Sequence, residues 1–440
     1  MAKIRIVGDA SGYVELSAQN AAGNNTLELP SGSTKLVGSD NSGNIVVGVV
    51  TATSIAGVST AGITTAYIGA INDGPISGAR NRIINGGMDF WQRGTSFTSL
   101  TSSTYTADRW YLNMGTPGTG VFRVDRDTSV PSGQPFPYSW KLSPSTAMSS
   151  VGAATYVSIV QFIEGFNCAD LRYGTSSAKT ITISFWARSN VTGIVPVSII
   201  QNSAAATYER AYPATYTINA ADTWQKVVIV VPGDTSGTIA YDNTWGLQLN
   251  LFYMAIGSNY QSGTVNSWNT NSAGTQYIAS GQTYLNRANS TSNNFYITGV
   301  QVEVGPNPTE FERRSYGQEL YLCQRYYQTT YPPGTAPGTN TSGSGFANMV
   351  GRTGMSGVNS SGEIFQSALF RVPMRATATV TVYDRLGNSG KVTGTQYLSN
   401  DTDNLASGAV DQGSCGFTAR VLNVGTFGGI SYHYTAAAEL

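Results

Sequence analysis

The sequence has 440 residues, more than one core usually holds, so about two to four domains are expected. Only 11% of the residues are charged, 25 basic against 25 acidic, and the formal net charge is zero. Strong nucleic-acid binding needs a basic face that neutralises phosphates, and this composition makes such a face hard to build. We therefore expect no nucleic-acid partner. The 50 Gly and 25 Tyr residues are typical of an all-β protein with many turns.

The few cysteine and histidine residues limit the chemistry further. Cys168, Cys323 and Cys415 are odd in number and far apart, so no disulfide framework or CxxC metal cluster is predicted, which fits folding in a reducing cytosol. The single histidine, His433, excludes sites that need two imidazoles. The N-terminus lacks the apolar stretch of a signal peptide, and the most apolar segment, 45–71, is interrupted by Gly, Thr and Ser. No membrane insertion is predicted.

The N-terminal part alternates short apolar runs with turn residues. Strands such as 13–16 and 26–29 are too short to bury a core alone, so they must share one with neighbouring chains. Residues 45–80 combine small and β-branched residues, which suits an intertwined β shaft whose pairing would remove an aggregation-prone edge. A flexible N-terminal tail is the alternative interpretation of residues 1–44.

Residues 81–308 carry about a dozen strand-like runs separated by turns, the spacing of a β-sandwich. The clearest predicted strands are 155–163, 180–188, 194–200, 224–231, 246–254 and 295–304.

The last of these runs leads into a predicted helix. Its even-numbered positions from Tyr296 to Val304 are largely β-branched or aromatic, which predicts one apolar face. Two prolines then end the strand, and Thr309 and Glu312 have the spacing of a capping box, so a helix is predicted over 309–330.

One stripe of this helix has the 4-3-4 spacing of a helix that packs against its own copies. Packing against its own domain is the alternative interpretation. The stripe comprises Tyr316, Leu320, Cys323 and Tyr327.

The C-terminal part predicts a small β-sandwich over 331–440. It opens with a Pro/Gly/Thr/Ser-rich linker or loop at 331–345. Strand-like runs follow at 364–372, 376–383, 416–424 and 430–440.

Several motifs together resemble those of one family. Residues 81–88 (NRIINGGM), 91–95 (WQRGT) and 107–110 (ADRW) resemble the opening of a jelly-roll domain in bacteriophage tail-fibre and virion appendage proteins. Residues 301–327 resemble the junction that closes this domain and leads into a C-terminal tip. The segments at 13–16 and 25–31, and at 370–376 and 432–440, are similar to the N-terminal and tip parts of phage fibres. The order of elements within 81–308 also resembles carbohydrate-binding jelly rolls, although these are mostly packing motifs and support fold more than ligand.

The resemblance implies a mainly β homotrimer that serves as a bacteriophage tail fibre. It implies an intertwined N-terminal region, a jelly roll, one short trimerising helix and a small β-sandwich tip. Residues 1–44 would attach to other virion proteins of the tail or adaptor, and the fibre would bind host surface glycan after assembly in the host cytoplasm. The helix stripe then becomes the predicted trimer interface. A purely structural virion component, such as a head decoration fibre or tail adaptor, is the main alternative.

Trp186 is the first candidate for a glycan contact. Ile181, Ile183 and Phe185 share the core face of their strand, which places Trp186 and Arg188 on the opposite face. An indole can stack on the C–H face of a sugar while a cation and polar groups bond to its oxygens. Similar alternation adds three polar side chains to the predicted concave face: Gln161, Gln248 and Asn250. Packing of Trp186 under a loop or partner chain is the alternative.

The predicted tip contacts with a receptor are Tyr432, His433 and Tyr434. No acidic pair stands out by spacing, and no coil repeat typical of a β-helical depolymerase is visible, so we expect no enzyme activity and no cofactor. Polysaccharide hydrolysis remains a third alternative. Jelly-roll carbohydrate modules often hold a structural Ca²⁺, but the sequence assigns no ligands to one here.

Overall fold

The structure is a computed structural model, and it describes residues 3–7, 13–17, 80–203, 209–271, 277–341, 357–358, 364–395, 402–421 and 429–440. The chain divides into two compact units, 1–67 and 68–440. In the first unit, β1 (Lys3–Val7) pairs antiparallel with β2 (Tyr13–Ser17). The predicted shaft lies outside the described residues, apart from Arg80.

The second unit is mainly β, as predicted, and contains a jelly-roll sandwich of a seven-stranded and a six-stranded sheet. The seven-stranded sheet has the order β15-β11-β10-β13-β8-β5-β4, and the six-stranded sheet has the order β12-β9-β17-β7-β6-β3. The strands of these two sheets are β3 (Ser96–Leu100), β4 (Thr104–Tyr105), β5 (Tyr111–Gly115), β6 (Val121–Asp127), β7 (Ser139–Thr146), β8 (Tyr156–Glu164), β9 (Ile181–Ser189), β10 (Gly193–Gln201), β11 (Arg210–Ile218), β12 (Gln225–Val231), β13 (Trp245–Ile256), β15 (Asn269–Thr270) and β17 (Phe295–Val304). Two further strands, β14 (Gln261–Gly263) and β16 (Ile278–Ala279), form a separate parallel pair. Short 3₁₀ helices follow β8 at Gly165–Leu171 and β13 at Ser258–Tyr260.

The six predicted jelly-roll strands all exist, and their observed bounds differ from the prediction by no more than two residues. Alternation explains this success, because each run buries every second side chain between the sheets. In β9, for example, Ile181, Ile183, Phe185 and Ala187 all belong to the core. Trp110 and Trp140 are fully buried in the same core.

The predicted apolar face of β17 is wrong in its first half. A bulge between Thr298 and Gln301 shifts the register against β9, so Phe295 and Ile297 point inward before it and Val300 does so after it. Gly299 supplies the required conformation with φ of +63°, and an added Cβ would lie 2.5 Å from the Phe136 ring.

The observed helix starts later than predicted and is shorter than the predicted range of 309–330. The observed helix α1 spans Tyr316–Gln324, and Ser315 with Gln318 forms its capping box. Thr309 and Glu312 do not cap it. The Thr309 hydroxyl donates to Glu303 at 2.7 Å, and the Glu312 carboxylate accepts from the Asn81 amide at 2.6 Å.

The predicted trimer stripe mostly faces the chain's own domain, which was the alternative interpretation. Cys323 is buried and Leu320 packs against the same small cluster, which includes Ile84 and Phe90. Tyr327 is buried and lies in a strand rather than in the helix. Only Tyr316 is exposed, so this stripe as a whole cannot form an interface between copies.

The C-terminal module consists of a three-stranded sheet, β18-β26-β21, and a six-stranded sheet, β19-β20-β24-β23-β22-β25, around one core. Together they approach a closed barrel. The strands are β18 (Tyr327–Thr329), β19 (Gly357–Val358), β20 (Ile364–Leu369), β21 (Thr379–Tyr383), β22 (Lys391–Thr395), β23 (Thr402–Val410), β24 (Gly416–Val421), β25 (Gly429–Ser431) and β26 (His433–Ala437).

The predicted receptor contacts at the tip are wrong, because Tyr432, His433 and Tyr434 are all buried in this module. The His433 ring stacks on Tyr331 at 4.2 Å and lies 3.0 Å from the hydroxyls of both Thr330 and Thr341. Burial lowers the pKa of His433 to about 4. The sequence showed alternating polar and aromatic residues, but it did not show that both faces of the strand are covered.

A buried ionic cluster joins the C-terminal module to the jelly roll. The Glu439 carboxylate accepts from Arg93 at 2.8 Å and from Arg109, and both guanidinium groups are largely or fully buried. Arg93 lies 3.6 Å above the Tyr327 ring, and Arg109 lies 3.6 Å above the Tyr326 ring. The cluster therefore ties motifs near residues 93 and 109 to the end of the sequence.

A second set of contacts crosses the same junction. Glu164, at the end of β8, accepts two hydrogen bonds from Arg325, at 2.6 and 3.0 Å, and one from the Tyr326 hydroxyl at 2.6 Å. Arg375 donates to the carbonyls of Asn243, Ala438 and Glu439. The two modules are thus held in one arrangement.

We predict that Glu439→Gln lowers the free energy of unfolding by about 3–5 kcal/mol, because Arg109 would remain buried without a carboxylate and Arg93 would keep only Asp108, at 3.6 Å. Urea unfolding monitored by Trp fluorescence would measure this loss. Asp125→Asn is the matched control, because it removes the carboxylate from Arg123, whose side chain is 49% exposed, and should cost less than about 1 kcal/mol. If both variants lost the same small amount of unfolding free energy, the ionic cluster around Glu439 would not stabilise the junction as predicted.

We also predict that His433 makes the protein less stable in acid. The unfolded histidine binds a proton near pH 6.5 and the folded one only near pH 4, so stability falls as the pH drops through this window. The His433→Gln variant should lose less thermal stability between pH 7 and pH 4 than the wild type. Since His433 is the only histidine, identical pH profiles would disprove the assignment.

Candidate functional site

The five side chains predicted to line one glycan-binding face lie on two different sheets. Trp186 and Arg188 belong to β9 of the six-stranded sheet, whereas Gln161 belongs to β8 and Gln248 and Asn250 to β13 of the seven-stranded sheet. The predicted single concave face is therefore wrong. Sequence alternation assigns a residue to a face of its own strand, but it does not say which sheet the strand joins.

Trp186 does point outward, as predicted. It is half-buried and lies between Lys226 on β12 and Thr298 on β17. The Arg188 guanidinium is not free to meet a ligand, because it donates to Asp222 at 3.0 Å and to the Ser129 hydroxyl at 2.8 Å. It holds loops together, which leaves Trp186 with fewer polar neighbours than predicted.

The three predicted polar residues of the other sheet are buried. The Gln161 amide bonds to both the backbone N–H and the carbonyl of Ile84 at 2.9 Å, so it fixes the segment around residues 81–88. Gln248 donates to Asn250 at 3.2 Å, and both side chains are almost completely inaccessible. These residues stabilise the fold and cannot contact a sugar in this arrangement.

The seven-stranded sheet instead carries a row of aromatic side chains across four neighbouring strands. Ring centroids are 4.7 Å apart for Tyr105 and Tyr111, 6.3 Å for Tyr111 and Phe162, and 5.8 Å for Phe162 and Trp245. All four side chains are half-buried, so each keeps part of its surface accessible. We call Tyr105, Tyr111, Phe162 and Trp245 the aromatic row.

Strand pairing places these rings side by side. Tyr105 pairs with Tyr111, and Tyr111 pairs with Val160, two residues before Phe162 in β8. Leu112, Ile159 and Ile163 fill the core, so Tyr111 and Phe162 face outward by alternation. Trp245 joins them despite sharing the parity of the core residue Leu247, because a register shift lies between these two positions of β13. Sequence analysis missed the row because it draws on four separate strands. One signal was available, since Ile159 and Ile163 at odd-numbered positions of β8 place the even-numbered Phe162 on the opposite face.

A cavity of about 480 Å³ adjoins the Trp245 end of the row. Its walls come from both modules and are rich in polar groups. The lining includes Asn202, Asp242, Thr244, Arg375 and Leu440. The Asp242 carboxylate is held in place by the Thr244 amide at 2.8 Å and its hydroxyl at 2.6 Å. Apolar ring surfaces beside fixed polar groups are the usual composition of a small-ligand site.

At the other end of the row, the Tyr105 hydroxyl is held in its neutral, protonated form. Burial and the nearby Glu439 carboxylate raise the pKa of Tyr105 far above its ordinary range. The Tyr105 hydroxyl donates to the carbonyl of Leu440 at 2.7 Å, and the Arg93 guanidinium lies 5.3 Å from its ring. The C-terminal residues therefore border the row at Tyr105 as well as at the cavity.

Within the described ranges, no group of three or more His, Cys, Asp or Glu side chains lies close enough to hold a metal ion. The structure's helices in those ranges include none with the length and apolar character needed to cross a bilayer.

No protein-family model and no curated protein matches the sequence. Solved structures with a similar fold include the enzymatically active domain of a tailspike protein of bacteriophage CBA120, at 14% identity and a TM-score of 0.25. That match covers 51% of this chain and only 21% of the tailspike chain.

Carbohydrate-binding modules are also similar. The family 11 module of a Clostridium thermocellum cellulosomal cellulase is 13% identical, with 49% of this chain and 98% of that chain covered and a TM-score of 0.25. The xylan-binding CBM22-1 domain of a Paenibacillus barcinonensis protein is 9% identical, with 48% and 94% covered and a TM-score of 0.24. At such values these likenesses carry no functional argument, so the function is argued from the residues of this chain.

Proposed function

We propose that the protein is a bacteriophage tail fibre, a homotrimeric virion component that attaches to host cells by binding surface glycan. The aromatic row is the observation that supports glycan binding, whereas the fibre role and the trimer rest on the resemblance of the sequence motifs. Rings spaced 4.7–6.3 Å apart across four strands offer a continuous platform for the apolar faces of successive sugars. The adjoining cavity supplies polar side chains for sugar hydroxyls.

Binding to this platform would be weak at any one site. Half-buried rings present limited area, and a glycan loses conformational freedom when it binds. Three chains in one fibre and several fibres on one virion multiply such contacts into useful avidity. The low charge of the chain suits this mode, because recognition depends on stacking and hydrogen bonds rather than on ionic attraction.

We propose no catalytic step and no cofactor for this role. The N-terminal residues would join the fibre to other virion proteins, and the jelly roll with its C-terminal module would face the host. A purely structural role is the second candidate. It is favoured by one observation: the motifs at 91–95, 107–110 and 432–440 meet in the ionic junction rather than at an accessible surface.

We predict that Trp245→Ala and Phe162→Ala each weaken glycan binding about tenfold, because each removes buried ring area together with a stacking contact, and such a contact is worth about 0.5–1.5 kcal/mol beyond its buried area. Binding to polysaccharide extracted from the host surface would be measured by calorimetry or on a glycan array. Circular dichroism and the melting temperature would confirm that each variant folds.

Trp186→Ala is the matched control, since it removes an outward indole from the other sheet. Loss of binding in this variant alone would move the site to the six-stranded sheet. Absence of binding by the wild type to any host polysaccharide would favour the structural role, and release of reducing ends would favour a depolymerase.

A further inference from the structure

Three exposed aromatic side chains lie on helix α1 or beside it. Phe166 is 59% exposed, Tyr316 62% and Tyr321 60%, which makes them the most exposed large aromatic residues in the described part of the chain. Single exposed apolar residues are common on protein surfaces, but a continuous group marks an interaction surface. These three side chains therefore indicate an interaction surface only if they are continuous with one another.

Three adjoining cavities show that they do. A cavity of about 200 Å³ is lined by Phe166, Leu322 and Arg314, and a second, of about 630 Å³, is lined by Leu322, Arg314 and Tyr321. A third, of about 520 Å³, is lined by Arg314 and Tyr316. Arg314 borders all three. We call the surface formed by Phe166, Arg314, Tyr316, Tyr321 and Leu322 the helix patch.

Contacts within the chain hold two members of the helix patch, Arg314 and Tyr316, in place. Arg314 donates to the carbonyl of Ile83 at 3.1 Å and pairs with Glu319 at 3.1 Å. The Tyr316 ring packs on Phe90 with centroids 4.7 Å apart. A surface fixed in this way loses little conformational entropy on binding, which favours a specific contact.

The path of the chain indicates what covers the patch. Arg80 and Asn81 lie at its rim, because the Asn81 amide donates to Glu312 at 2.6 Å and Arg80 donates to the carbonyl of Glu310. The 79 residues before Arg80 therefore continue from this place. If the segments before residue 80 share a core among three chains, the surface beside residue 80 is the part of the jelly roll that lies nearest along the chain to that core. This surface is therefore the first candidate for contacts between copies.

We infer that the helix patch is the interface through which the jelly rolls of neighbouring copies pack against one another. This inference rests on the homotrimer in the proposed function and replaces the helix stripe predicted from sequence. Tyr316 belongs to both surfaces, whereas Tyr321 and Phe166 take the places of the buried Cys323 and Tyr327. Exposed rings set around cavities match the anchors and pockets that dominate protein interfaces.

Cross-linking of the full-length protein tests the inference. Cys415 is exposed and would first be changed to Ser, whereas Cys168 and Cys323 are buried. Burial raises the pKa of Cys168 to about 12 and that of Cys323 well above its usual range, so neither thiol competes. A short bismaleimide should convert Tyr321→Cys in this background into covalent dimers, because one reactive thiol per chain can be joined to only one other copy.

Val228→Cys in the same background is the matched control. Val228 is 43% exposed on the edge strand β12 and should give no cross-link between copies. Light scattering on each variant would report the mass of the assembly. Cross-linking through Tyr321→Cys alone supports the inference. An oligomer that cross-links only through Val228→Cys, or through neither position, overturns it.

A monomer would overturn both the inference and the homotrimer. Failure of the glycan-binding proposal can be distinguished from this outcome, because the Trp245→Ala experiment measures polysaccharide binding and not the mass of the assembly. An oligomer that cross-links through Tyr321→Cys but binds no host polysaccharide would keep this interface and remove the adhesin role.

Discussion

The arrangement of the second unit depends on a carboxylate buried between two arginines. Glu439 pairs with both Arg93 and Arg109, and the buried Asp108 lies 3.6 Å from Arg93. Each guanidinium also covers a tyrosine ring of the chain that follows helix α1. Taking such charges out of water is costly, and mutual pairing compensates only if the geometry is exact. The junction therefore tolerates one relative position of the jelly roll and the C-terminal module.

This constraint also explains what the sequence motifs do. The residues that resemble phage fibre proteins include Arg93, Arg109 and Glu439, and none of these charged groups faces open solvent. Asn81 has a comparable role at the other end of the jelly roll, where its side-chain oxygen accepts from both Ile83 and Val302 at 3.0 Å. The recognisable residues are thus those that position backbone and modules, while the proposed ligand contacts lie among residues outside the quoted motifs or at their margins.

The fold was predictable from sequence and the site was not, for a physical reason. A strand such as β9 can be recognised from local alternation, since every second side chain is apolar and is buried in the same core. The aromatic row depends on the order in which β4, β5, β8 and β13 pair, and that order is set by long-range contacts. His433 failed as a tip contact for the same reason, because a second element, carrying Tyr331, covers its strand. The bulge at Gly299 was missed because one glycine in a strand does not reveal its φ.

The position of the cavity links the junction to the proposed binding site. Arg375 and Leu440 line it from the C-terminal module, and Trp245 lines it from the jelly roll. Arg375 is held by the carbonyls of Ala438 and Glu439, so the ionic cluster and the cavity wall share one segment of chain. A glycan bound across this boundary would contact groups that are already fixed, and its affinity would not be spent on ordering two modules. Multivalent attachment through weak sites benefits from such fixed groups, because any binding free energy lost in ordering a site would be lost again at the same site of every chain.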